Sequence, residues 1–163
     1  MKWEQIIGQQ SIKNLLKDSI KDSRVGHAQL FVGEEGFGVL PLALAMAQEI
    51  FEKENPASVH KVENLNHLDL HFSFPVFTEN KNSLSKRLFD QWREFILENP
   101  YSSFDDWTSF LESENKQFFI SADEAEDIGQ RFNLKSFEGG SKILIVWRAD
   151  KMNDAAANKI LKF

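Results

Sequence analysis

The sequence has 163 residues, enough for one domain with a hydrophobic core, and a formal charge of -6 that makes it a poor stand-alone binder of DNA phosphates. It contains no cysteine, which excludes disulfides and thiolate metal sites and is typical of a cytoplasmic protein. Neither a secretory signal nor a run of about 18 apolar residues is present, so we expect no membrane span.

The first predicted element is an amphipathic helix over residues 11–21, with Ser11 as its candidate N-cap. A turn is expected at residues 24–27. The apolar run at residues 28–32 then predicts a short buried strand. The apolar stripe of the helix consists of Ile12, Leu15, Leu16 and Ile20.

A glycine-punctuated loop at residues 33–38 follows this predicted strand. Helical residues resume at Pro41, which the first turn of a helix tolerates, and continue to about Phe51. Asn55 and Pro56 then break the helix. The order of strand, glycine loop and helix is the one that a phosphate-binding loop requires.

The middle of the chain predicts a strand followed by a helical insertion. Residues 68–77 alternate apolar and polar side chains, which favours a strand. Residues 79–117 predict a helical hairpin, interrupted by an Asn-Pro pair and continued after a capping box from Ser103 to Asp106. Its aromatic side chains fit the spacing of a helical core, although they could also form a surface for a partner. The face of its first helix consists of Leu84, Leu88, Trp92 and Phe95.

The last third of the chain returns to alternating strands and helices. Residues 118–120 predict a short strand, and Ser121 with Glu124 predicts a capping box for the next helix. Residues 142–147 are typical of a strand buried on both faces of a parallel sheet. A final helix begins near Asn153, and the chain ends in it without a terminator, so we expect a fragment of a longer protein. The fold class is therefore α/β, with a mainly parallel sheet flanked by helices.

The glycine loop has the spacing of a phosphate-binding loop but lacks its reactive side chains. Gly33 and Gly38 stand where the pattern G-x-x-x-x-G-K-[ST] places its glycines, and Gly36 adds flexibility. The lysine that contacts the terminal phosphates is replaced by Val39, and the hydroxyl that holds magnesium is replaced by Leu40. We therefore interpret this loop as a degenerate phosphate loop.

A second nucleotide motif is also degenerate. It requires an apolar strand followed by a metal-binding carboxylate and a catalytic glutamate, but residues 143–146 are followed by Trp147 and Arg148. Arg148 could be an arginine finger for a neighbouring site, although we favour a role in filling the place of the missing magnesium. Glu34 and Glu35 also add negative charge near the loop. With four requirements lost, hydrolysis lacks its main transition-state stabilisation.

Several segments carry a family resemblance. Residues 27–33 read HAQLFVG, and residues 149–162 read ADKMNDAAANKILK. They are similar to the "HAYLFxG" and "ADxMNxxAANALLK" runs of the clamp-loader branch of the AAA+ family of P-loop NTPases. Ile7, Gly8 and Gln9 resemble the family segment that borders the adenine. The resemblance frames the whole chain except the insertion.

The resemblance implies a truncated AAA+ nucleotide-binding-like domain, with lid and collar domains in further parts of the protein. It implies a non-catalytic subunit of the replicative DNA polymerase III holoenzyme, in which a five-subunit ring loads the sliding clamp onto DNA. The other ring subunits, the clamp and, through the assembled complex, DNA are the implied partners. Family members often carry a four-cysteine zinc module, which this sequence cannot form, so no zinc is expected. ATP and magnesium are not expected to be bound productively.

Other interpretations stay open at the level of sequence. His67, His71 and Asp69 could share one face of an extended strand and bind a metal, although the segment resembles a family "HPDLH" strand with Leu68 in place of proline. An active ATPase or nucleotide switch with unusual ligands is the alternative function. A third possibility is nucleotide binding without turnover, which would only stiffen the fold.

Overall fold

A pair of short parallel strands joins the two halves of the chain in this computed structural model, which describes residues 1–162. The strands align Leu70 with Ile143 and Ser73 with Val146. The other regular elements are helices. In chain order the elements are α1 (Gln10–Lys21), α2 (Val39–Glu54), α3 (Val59–Glu63), β1 (Leu70–Ser73), α4 (Phe89–Glu98), α5 (Phe104–Phe110), α6 (Ala122–Phe132), β2 (Ile143–Val146) and α7 (Asp154–Ile160).

The sheet confirms the mixed α/β class and the parallel pairing, but it is smaller than the sequence predicts. Both strands are four residues long, within the longer predicted ranges 68–77 and 142–147. The prediction that β2 is buried on both faces is wrong, because Ile145 is its one buried residue. The faces of a parallel strand are buried by helices packed on the sheet, and β2 belongs to a sheet of two strands within residues 1–162.

The predicted buried strand at residues 28–32 is wrong for the described structure. These residues form no strand, and the side chains of Leu30 and Val32 are 83% and 85% exposed. Phe31 packs against a small apolar cluster that includes Leu16 and Ile20 of α1. An apolar run forms a strand only where a neighbouring strand completes its hydrogen-bond ladder, and no strand within residues 1–162 does so for residues 28–32.

The first two helices form largely where the sequence predicts them. α1 begins at Gln10, so Ser11 lies inside the helix and is not its N-cap. Of its predicted stripe, Leu16 and Ile20 are buried, whereas Ile12 and Leu15 are exposed. α2 begins at Val39 and ends at Glu54 with Asn55 as its C-cap, as the Asn-Pro break predicts.

The helical segment at residues 79–117 packs into the main core. Ser103 Oγ accepts the Asp106 N–H at 3.1 Å while Asp106 accepts the Ser103 N–H at 2.7 Å, which confirms the predicted capping box. The Trp92 and Phe74 rings stack with centroids 4.7 Å apart, and both residues are fully buried. Trp107 donates its indole N–H to the Pro75 carbonyl at 3.1 Å. These tryptophans are therefore core residues, as their helical spacing favours.

The third part of the fold surrounds α6 and α7. Ser121 Oγ accepts the Glu124 N–H at 3.1 Å, but the Glu124 carboxylate does not accept the Ser121 N–H. Only one of the two hydrogen bonds of the predicted capping box therefore forms. Glu124 instead accepts the N–H and hydroxyl of Ser85 at 2.8 and 2.5 Å. Residues 118–120 make isolated bridges and no strand. Asn153 caps α7, as predicted. Among the described residues, the helices include none with the length and apolar character to cross a membrane.

Candidate phosphate-loop site

The glycine loop turns tightly into the start of α2. Gly36 and Gly38 have φ angles of +80° and +87°, in the left-handed region that favours glycine, and Gly38 is the N-cap of α2. A Cβ placed on Gly33 would lie 2.8 Å from Val39 Cγ2, so the loop returns closely onto the first helical residue. The structure thus gives the segment a tight turn into a helix, but within residues 1–162 no strand precedes the loop as the order strand, glycine loop and helix requires.

Gly38→Ala should destabilise the protein by about 1–2 kcal/mol, because alanine is strained in the left-handed region. Its Cβ would also lie 3.3 Å from Tyr101 Cε1. The free energy of unfolding from a urea titration measures the effect. Gly26→Ala is the matched control, since its Cβ would meet its nearest atoms at ordinary contact distances of 3.5 Å and more. Equal stability of both variants would show that the loop does not need the observed Gly38 conformation.

The first turn of α2 offers little to a phosphate group. Leu40 is buried in the main apolar core, together with Trp147. Pro41, at the third helical position, is fully buried and lacks an N–H. Since an anion at a helix N-terminus is held by the unpaired N–H groups of the first turn, Pro41 removes one of these donors. Val39 adds an aliphatic side chain where a lysine would supply charge.

An ion pair joins the loop to the end of β2. Arg148 follows the strand with a φ angle of +58°, and its guanidinium donates to the Glu35 carboxylate. It also donates to both carboxylate oxygens of Asp150, at 2.8 and 2.7 Å. The hydrogen bonds to Asp150 raise the pKa of Arg148, while those from Arg148 lower the pKa of Asp150. Arg148 therefore places a positive charge beside the loop, and two acidic side chains of the same chain pair with this charge.

Residues 7–9 lie beside the loop. Ile7 is exposed, and its N–H donates to the Tyr101 hydroxyl at 2.9 Å. Gly8 adopts a φ angle of +65°. The Gln9 side chain donates to the Phe37 carbonyl at 3.3 Å. The structure thus brings the predicted adenine-side segment and the glycine loop together.

Two residues of the helical segment were not predicted at this site. Tyr101 contacts Ile7 and Gly38, and the Phe104 N–H donates to Glu35 at 3.1 Å. The Arg148 guanidinium lies 5.1 Å from the centroid of the Phe104 ring. No local pattern indicates these contacts, because they join segments more than 40 residues apart in sequence.

The histidine cluster does not converge in a metal-binding arrangement. His67 accepts the Asp69 N–H at 3.1 Å and its other nitrogen lies 3.4 Å from Glu138. Burial, aided by the charges of Arg131 and Lys142, lowers the pKa of His71 to about 4. Within residues 1–162, no three histidine, aspartate or glutamate side chains are grouped to hold a metal ion.

Comparisons with known proteins give one consistent result. The family model described as "DNA polymerase III, delta subunit" matches residues 8–163. The chain is 26% identical, over 162 residues, to the DNA polymerase III subunit delta' of Bacillus subtilis (strain 168), a match that covers 95% of the chain. The chain spans 37% of the length of that relative. The comparison with solved structures found no match.

Proposed function

The chain belongs to the DNA polymerase III delta subunit family, and from this membership we propose that it is part of a delta-prime-type clamp-loader subunit that does not hydrolyse ATP. Its role would be to help load the sliding clamp onto DNA during replication, in the cytoplasm. The observation that carries the non-hydrolysing part of the proposal is the pairing of Arg148 with Glu35 in the degenerate site. In this pair the positive charge of Arg148 is neutralised by Glu35, so it is not available to the phosphates of a nucleotide.

Phosphoryl transfer depends on electrostatic stabilisation of the transferred group and on magnesium. At the four relevant positions the chain has aliphatic Val39, core-buried Leu40, the indole of Trp147 and the engaged guanidinium of Arg148. None of these side chains is an oxygen ligand for magnesium, and Val39 supplies no charge to the terminal phosphates. We therefore infer that ATP and magnesium are not bound productively and that the subunit is not an enzyme by itself.

The domain organisation is part of the same proposal. Residues 1–163 would form a truncated AAA+ nucleotide-binding-like domain of the P-loop type, with residues 79–117 as its helical insertion. Lid and collar domains would lie in further parts of the protein. The other subunits of a five-membered ring and the sliding clamp would be its partners. DNA would be contacted through the assembled complex, since a charge of -6 does not favour direct binding of phosphates.

Recovery of native assemblies tests this function. The full-length protein, tagged at its own locus, should co-purify with the ATP-hydrolysing clamp-loader subunits and with the clamp-opening subunit. A strain with an equally abundant tagged protein of unrelated function is the control for non-specific recovery. Repeated recovery of the full-length protein without either class of subunit would contradict the proposal.

Val39→Lys is expected to give no ATP turnover, because the magnesium carboxylate and the hydroxyl are still absent at Trp147 and Leu40. Phosphate release from ATP by the purified full-length protein, with and without magnesium, measures this. Val39→Met is the control, since it lengthens the side chain without adding charge. Magnesium-dependent turnover in the lysine variant alone would show that another residue supplies the metal ligand and would favour the active-ATPase alternative.

A further inference from the structure

The connection between α4 and α5 contacts both sides of the glycine loop. Tyr101 reaches the segment at residues 6–9, and Phe104 reaches the loop itself through Glu35. We propose that Tyr101 and Phe104 form a built-in clasp, which holds the degenerate phosphate loop in one conformation without a nucleotide. This inference concerns the folding of the chain alone and goes beyond the clamp-loader role.

Tyr101 forms the first half of the clasp. Its hydroxyl accepts the Ile7 N–H at 2.9 Å, and its ring lies beside Gly38, at the N-terminal end of α2. Asn99 holds this tyrosine in place, because its side-chain oxygen accepts the Tyr101 N–H at 3.0 Å. An anion that approached the first turn of α2 would therefore meet the Tyr101 ring, whose hydroxyl is held by the Ile7 N–H and whose backbone is held by Asn99.

Phe104 forms the second half. Its N–H donates to Glu35 Oε1 at 3.1 Å, and the same oxygen accepts from Arg148. Phe104 is the first residue of α5, so the Ser103 capping box sets the direction of this N–H. The Phe104 ring packs under the Arg148 guanidinium and under the Lys151 ammonium, whose nitrogen lies 4.6 Å from the ring centroid.

The clasp replaces contacts that a bound phosphate would make in an intact phosphate loop. Backbone N–H groups of such a loop are ordered when they curl around an anion. Here the Glu35 carboxylate, which belongs to the loop, accepts the Phe104 N–H and pairs with the Arg148 guanidinium, so other parts of the chain supply the ordering contacts. The Gln9 side chain adds a further bond to the Phe37 carbonyl. The loop is thereby tied to three other segments of the same chain, at residues 7–9, 101–104 and 148.

Hydrogen exchange of backbone amides in the full-length protein tests the clasp. The reporter is the Phe37 amide, which donates to the Glu34 carbonyl within the loop and to neither clasp residue. Tyr101→Phe, which removes the hydroxyl, and Glu35→Ala, which removes the carboxylate, should each speed exchange at Phe37 by about fivefold, the effect of losing one hydrogen bond. Glu34→Ala is the matched control, because it removes a carboxylate of the same charge at the preceding residue and should leave the exchange rate at Phe37 unchanged.

The Trp147 amide, which donates to the Ser73 carbonyl between the strands, reports whether each variant stays folded. Unchanged exchange at Phe37 in both Tyr101→Phe and Glu35→Ala, with Trp147 still protected, would overturn the proposed clasp. Faster exchange in Glu34→Ala to the same extent would also overturn it, since the effect would then follow charge and not contact. No other subunit takes part in this experiment, so its outcome is separate from that of the co-purification.

Discussion

Trp92→Ala is expected to lower the free energy of unfolding by about 3–5 kcal/mol, the range for large aromatic deletions in a packed core. Trp92 is fully buried and stacks on Phe74, and its ring centroid lies 4.9 Å from that of Phe72 in β1. Its indole N–H has no hydrogen-bond partner within residues 1–162, so the loss is one of packing. A urea titration followed by far-UV circular dichroism measures the change.

Leu97→Ala on the same helix is the control for this prediction. Leu97 is 45% exposed, so its truncation should cost less than about 1 kcal/mol. Similar losses at Trp92 and Leu97 would mean that the helical segment does not share a core with β1. That outcome would support the alternative in which its aromatic side chains form a surface for a partner.

Asp69→Ala should have the second largest effect, about 3 kcal/mol of lost stability. The fully buried Asp69 carboxylate accepts three hydrogen bonds, from the Ser136 hydroxyl at 3.0 Å and from the Phe137 and Glu138 N–H groups at 2.9 and 3.0 Å. Its removal leaves these donors without their charged acceptor, which is costlier than the loss of a neutral bond. Asp69→Asn, which retains one acceptor oxygen, should lose less.

The same carboxylate predicts a pH dependence with a definite sign. Burial raises the pKa of Asp69, but the hydrogen bonds from Glu138, Phe137 and Ser136 outweigh it and hold the pKa below its ordinary value. A carboxyl with a lower pKa in the folded state contributes stability above its unfolded pKa, about 3.9, and loses it as the pH falls through the folded value. The stability difference between wild type and Asp69→Asn should therefore shrink below about pH 4. A difference that grows on acidification would contradict the anchoring role of the charged form.

Both predictions depend on contacts that the sequence indicates only in part. The periodicity of Leu84, Leu88, Trp92 and Phe95 predicts a buried helical face; the last three residues are buried and Leu84 is partly buried. It does not reveal that the partner of this face is β1, because periodicity describes one element at a time. Asp69 could be read as a metal ligand from its spacing to two histidines, whereas the folded chain uses it to fix the turn after α6.

Local chemistry explains where sequence prediction succeeded. The caps at Ser103 and Asn153 and the break at Asn55 depend on residues within one helical turn, so a short stretch of sequence contains their causes. The left-handed conformations at Gly36 and Gly38 are ones that glycine adopts without strain. Residues 28–32 failed as a strand, because a strand also needs a neighbour that no local pattern supplies.

The candidate site also has features that the sequence determines and features that only the fold decides. Sequence alone determined that the valine at position 39 and the tryptophan at position 147 cannot act as a phosphate-binding cation or a metal ligand in any fold. Tertiary structure alone decided that Glu35 contacts Arg148 and Phe104. The physical reason is that the chemistry of a side chain is covalent and local. Its partner, in contrast, is chosen by the packing of segments that the chain connects only over long distances.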